Sequence, residues 1–216
     1  MSDPAYEAVC KARRQDEGGN PEGAAETLKA YLSTDPSCES ARLELARLFI
    51  YRLEMRDVGI EQLQVLLEEH PDNIDALKAA TTVMMTNKRF RKQVDEDYRH
   101  LIELIAPRKD PAEYAKVCAA YAVFLRQQMV DFEGAAKYFE LALQASPNSY
   151  EYHQDYAVLL LHDLKDYMKA KEELEIVLEL RPNSISARKN YDLLMKTKFD
   201  SEGNLKKKGL LSRLRH

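Results

Sequence analysis

Two stretches of this chain, one period apart, follow the same pattern. Val130–Ser149, VDFEGAAKYFELALQASPNS, is answered thirty-five residues later by Lys165–Ser184, KDYMKAKEELEIVLELRPNS, and both end in Pro-Asn-Ser. The match extends upstream, where Tyr121-Ala122-Val123 corresponds to Tyr156-Ala157-Val158. It also extends backwards, to ELARLF at Glu44–Phe49, GIEQLQVLLEEHPDN at Gly59–Asn73 and AAETLKAYLSTDPS at Ala24–Ser37. Prolines 36, 71, 107, 147 and 182 mark the beats. A period of this length means a solenoid of stacked supersecondary units, because no single unit can bury its apolar face alone.

Each unit has two halves. In the last, Tyr150 to about His162 is one apolar-periodic segment and Tyr167–Leu180 another, with Leu174, Val177 and Leu178 on one face and Lys171, Glu172, Glu175 and Glu179 on the other. Small residues in the first half (Ala46, Ala122, Ala157) and at the start of the second (Ala24, Gly59, Ala135, Ala170) let the two helices approach closely. The proline stops the second helix, and the Asn or Ser after it caps the next.

These residues resemble the tetratricopeptide repeat. The resemblance implies an all-α fold, a right-handed α-solenoid of antiparallel helix pairs with about eleven helices. It gives repeats at about 5–38, 39–73, 74–108, 115–149 and 150–184, then a capping helix at 185–198, one domain over 1–198 with a basic tail at 199–216. The third repeat is the weakest match, with Thr81 and Val94 in its small-residue places. The insertion RKDPAEYAK after it predicts a long first helix in the fourth, from near Pro111 to near Gln128.

Composition narrows the function. A net charge of -4 and a pI near 5.8 argue against nucleic acid as partner. No apolar run, Ala157–Leu161 among them, is long enough to span a membrane, and the N-terminus has no secretory pattern. Cys10, Cys38 and Cys118 have no ligand spacing and read as reduced thiols in a cytoplasmic protein, with Cys118 and Cys10 as small buried hydrophobes. None of the five histidines has a metal-ligand partner at helical spacing, and no Gly-rich loop could cradle phosphate. The chain reads as non-catalytic, with no cofactor and no metal.

The resemblance places a binding groove on the first helices of the pairs. Carried onto this sequence, its positions are Arg13 in the first repeat, then Arg47, Ile50 and Tyr51, then Lys78 and Met85. Lys116, Val123 and Arg126 follow in the fourth, Gln154 and His162 in the fifth, and Lys189 on the capping helix. Cations among apolar side chains, with few acids, suit a peptide or helix carrying acidic and apolar residues. Some members of the family grip the C-terminal carboxylate of heat-shock chaperones through lysines, asparagines and an arginine. No register here reproduces that clamp, and Asp75, Glu151 and Asp155 fall where neutral or cationic groups belong.

The tail, GNLKKKGLLSRLRH, holds five cations and no acid. Lys206, Lys207 and Lys208 precede Leu210, Leu211 and Leu214, which share one edge at helical spacing. That pattern suits weak contact with an anionic membrane surface, with an acidic patch on a partner or with another copy, or a solubilising end. Two readings therefore stand from sequence: an interaction scaffold working through its groove, or a peripheral membrane or assembly factor working through its tail.

Overall fold

The computed structural model describes residues 3–106 and 110–206. Among them lie eleven α-helices and one isolated β-bridge, so the chain is all-α. None of these helices is long and apolar enough to cross a membrane. The chain divides into two compact units, 1–109 and 110–216, at the insertion after the third repeat.

The first unit holds α1 (Pro4–Glu17), α2 (Pro21–Leu32), α3 (Glu39–Tyr51), α4 (Arg56–Glu69), α5 (Ile74–Met84) and α6 (Arg91–Ile105), with a 3-10 turn at Lys88–Phe90. Helices pack as the pairs α1–α2, α3–α4 and α5–α6, and α3 also touches α1 and α5. The second unit holds α7 (Pro111–Phe124), α8 (Phe132–Ala145), α9 (Tyr150–Leu159), α10 (Tyr167–Leu180) and α11 (Ile185–Lys198). Here α7 pairs with α8, α9 with α10, and α11 packs on α10. π-turns at Leu125–Met129 and Leu160–Leu164 prolong α7 and α9. The long first helix predicted for the fourth repeat is therefore present, helical from Pro111 to Met129.

The units repeat one another more deeply than the 35-residue period shows. Helices α2, α3, α4 and α5 begin at Pro21, Glu39, Arg56 and Ile74; α8, α9, α10 and α11 begin at Phe132, Tyr150, Tyr167 and Ile185, a constant offset of 111. Only α7 departs, starting four residues earlier than α1 would place it. Local chemistry recurs in the same register. Asn20 and Asp131, one offset apart, cap α2 and α8 by accepting the N–H of Gly23 and Gly134, each at 2.9 Å. Asp166 caps α10 through the N–H of Lys169 at 3.1 Å. Asn73, Ser149 and Ser184 cap α5, α9 and α11 in the same way.

The residue just before the N-cap of the second helix takes a left-handed conformation in four repeats: Gly19 (φ 82°), Glu54 (57°), Val130 (57°) and Lys165 (60°). Glycine pays nothing there, whereas a β-branched residue is strained. Val130 is 64% exposed, so little packing compensates the strain. Val130→Gly is expected to stabilise the protein by about 1 kcal/mol, seen as a higher denaturant midpoint at unchanged slope.

The small residues read from sequence sit at the helix contacts. Ala46, Ala122, Ala157, Ala24, Ala135 and Ala170 are fully buried. Gly59 is tighter still: an added Cβ would collide with Ile50 and stand 2.9 Å from the Ala46 carbonyl oxygen. Thr81 and Val94 are buried in the corresponding places of the third repeat. Thr81 satisfies its hydroxyl by donating to the Leu77 carbonyl at 2.9 Å. Phe139 stacks on Tyr156, and Tyr121 meets Tyr138 edge-on, filling the core of the second unit.

Packing continues past α11. Residues 199–206, read from sequence as the start of the tail, turn back on that helix. Phe199 is 2% exposed and bridges to Leu205, and the Lys206 N–H donates to the Lys198 carbonyl at 2.8 Å. Asp200 pins the turn by accepting the N–H groups of Glu202 and Asn204, each at 2.9 Å. Lys207, Lys208, Leu210, Leu211 and Leu214 lie outside the described residues, and so does the repeat proline Pro107.

Candidate functional site

In the first unit α1, α3 and α5 carry the residues assigned from sequence. Arg13 is exposed but not free. Its Nε and Nη2 donate to the Glu44 carboxylate on α3 at 2.9 and 3.0 Å, a bidentate pair that holds α1 to α3. Arg52 likewise pairs with Asp16 at 2.7 Å. Arg47 is half-buried and makes no ion pair among the described residues. One turn on, Tyr51 is 58% exposed. Lys78 and Met85 on the α5 side are half-buried. Ile50 corrects the sequence reading: at 7% exposure it is core, held against Gly59 by the close approach of α3 and α4, and offers no surface to a ligand.

In the second unit Arg126 is tied down. Its Nε donates to Asp163 at 2.6 Å, joining the two π-turns, and both side chains are about three-quarters or more covered. The charges are inverted relative to the first unit, where the equivalent of Asp163 is Arg52, which pairs with Asp16. Gln154 accepts from the Ser186 hydroxyl at 3.1 Å. Lys116, His162 and Lys189 are exposed and Val123 is half-buried. One offset on from Arg47 and Tyr51 stand Val158 and His162, so the pairing of a cation with an exposed tyrosine belongs to the first unit.

Sequence reading missed the acids. Asp16, Glu44 and Asp163 each lie close to one repeat length from their arginine, at separations of 36, 31 and 37 residues. An opposite charge one repeat away on a neighbouring first helix was the available signal.

The other candidate groups are structural. His153 is buried, its Nδ1 2.5 Å from the Glu173 carboxylate and its Nε2 2.9 Å from the Pro147 carbonyl oxygen. Cys118 is buried beside Tyr114, and burial pushes its thiol up to about 11, against the opposing pull of the Tyr114 hydrogen bond. Little thiolate forms near neutral pH. With an aromatic disulfide reagent under native conditions, the partly exposed Cys10 and Cys38 are expected to react first and Cys118 at least about tenfold more slowly. Three equal rates would show that Cys118 is accessible.

No protein-family model matches the chain, and no curated protein matches it. Solved structures do. MamA (residues 41 to the end) from Desulfovibrio magneticus RS-1 is 17% identical with a TM-score of 0.69, covering 86% of this chain and 99% of that one. YrrB, described as a TPR protein with an unusual peptide-binding site, is 15% identical with a TM-score of 0.70, covering 87% and 92%. PilF from Pseudomonas aeruginosa is 22% identical with a TM-score of 0.64, covering 89% and 83%. With paired helices meeting at small residues, caps in a fixed register and these likenesses, the chain has the tetratricopeptide-repeat fold.

Proposed function

We propose that the chain is a non-catalytic interaction scaffold whose first unit holds a protein segment with acidic and apolar side chains on the face of α1, α3 and α5. The observation that carries this reading is Arg47, a half-buried cation without an ion pair among the described residues, one helical turn from the exposed Tyr51. A guanidinium already stripped of part of its water, beside an aromatic ring, favours a carboxylate flanked by an apolar side chain. Arg13 and Arg126 are internal ties, so among the groove arginines the one open to a partner is Arg47. The fold supports the class: solved neighbours are repeat proteins, and the description of YrrB names a peptide-binding site. Three cysteines without a disulfide fit a reducing cytoplasm.

A random peptide library selected against the full chain tests this. Recovered peptides are expected to be rich in Asp, Glu and apolar residues, and Arg47→Glu is expected to weaken them by about tenfold or more while leaving the thermal melt unchanged. Peptides with no acidic bias, bound equally by wild type and Arg47→Glu, would refute it.

A further inference from the structure

A second surface lies on the other helices of the first unit. Between α2 and α4 runs an open slot of about 640 Å³, floored by α3. Leu32, Leu45, Phe49, Leu53, Met55 and Val58 line it, and Glu22 and Glu26 stand on its α2 rim.

The same place in the second unit is plugged. One offset on, Leu45, Lys29 and Val58 become Tyr156, Glu140 and Lys169. Lys169 pairs with Glu140 across α8 and α10, and the Tyr156 hydroxyl donates to Glu140 at 2.8 Å. The Lys169 ammonium lies 5.1 Å over the Tyr156 ring. In the first unit no such bridge can form. Val58 has no charge to offer, and Lys29 pairs with Glu26 on its own helix at 2.8 Å while its ammonium lies 5.5 Å from the centre of the Phe49 ring. The fold therefore has a polar way of closing this slot, used in one unit and not in the other. What remains is a largely apolar trough with Lys29 and Glu26 paired at its edge and Glu22 unpaired among the described residues.

We propose that this slot receives the C-terminal segment, residues 207–216, of a second copy of the chain. That segment, KKGLLSRLRH, supplies what the slot lacks: Leu210, Leu211 and Leu214 at helical spacing for the trough, and Lys207, Lys208, Arg213 and Arg215 for the acidic rim, with no acid of its own. Apolar match and opposite charge single out this occupant. The contact joins two different surfaces, so it is head-to-tail, and copies add in series unless a ring closes.

Sedimentation of the full chain across the micromolar range tests the proposal. Wild type is expected to self-associate beyond the dimer, and more weakly in high salt. Two sets of variants bracket the site. Lys29→Glu with Val58→Lys installs the plug of the second unit, and Glu22→Lys with Glu26→Lys reverses the rim on exposed positions that leave the core intact. Either pair, or Leu210→Asp with Leu214→Asp, is expected to weaken association by about tenfold or more with a wild-type melt. A labelled peptide of residues 203–216 is expected to bind wild type and to lose that binding to both slot pairs. A full chain that stays monomeric, or rim-reversed and tail variants that associate as wild type does, would overturn the proposal.

Discussion

Gly59→Val is expected to cost the protein about 3 kcal/mol, read as a lower denaturant midpoint at unchanged slope. Gly59 lies in the first turn of α4, where that helix crosses α3. A Cβ there would collide with the Ile50 side chain and stand 2.9 Å from the Ala46 carbonyl oxygen, an atom that moves only if α3 moves with it. Interiors at crystal-like density do not absorb such an intrusion. At the matching places Ala24, Ala135 and Ala170 carry that methyl group fully buried, so the crossing at Gly59 is the one built without it. A loss under about 1 kcal/mol would mean that α3 and α4 separate at little cost.

Glu173→Ala is expected to cost a similar amount, about 3 kcal/mol below pH 6.5, because it leaves a buried charge alone. His153 faces two acceptors, the Glu173 carboxylate and the Pro147 carbonyl, so both ring nitrogens must donate and the imidazolium is the favoured form. Burial pulls its pKa down, but the hydrogen bonds to Glu173 and Pro147 outweigh burial, and the net shift is upward. A raised folded pKa gives stability that is fully present below the unfolded value near 6.5 and is lost as pH rises through the folded value. The first unit builds the same staple from a charge that does not titrate. One offset back, Arg42 donates to Gln62 at 3.2 Å and to the Pro36 carbonyl. His153→Gln is therefore expected to flatten the decline in stability above pH 6.5, measured by denaturant melts from pH 5.5 to 8.5. An unchanged profile would show that His153 is neutral at all these values.

The architecture was legible because its determinants are local and periodic. Ala46, Ala122 and Ala157 declare a helix crossing wherever they stand, and Pro147 with Asn148 and Ser149 declares where one helix ends and the next is capped. The 111-residue offset was harder to see, because it rests on backbone events that different residues can carry. The left-handed turn is Gly19 in one repeat, Glu54, Val130 and Lys165 in others, and the staple is Arg42 in one unit and His153 in the other. The site was legible by position and not by state. Arg13, Arg47 and Arg126 look alike in sequence. Only packing shows that Glu44 and Asp163 occupy two of them, while Ile50 turns inward one residue short of the exposed Tyr51.

The central claim is that Arg47 and Tyr51 mark a protein-binding face on the first unit. Its most direct measurement is backbone and methyl chemical-shift mapping of the full chain titrated with an acidic-apolar peptide recovered by selection. The largest saturable shifts are expected at Arg47, Tyr51, Lys78 and Met85, with Lys116, Gln154 and Lys189 little changed. Saturable shifts confined to the second unit or to the α2–α4 slot, with Arg47 and Tyr51 still, would contradict it.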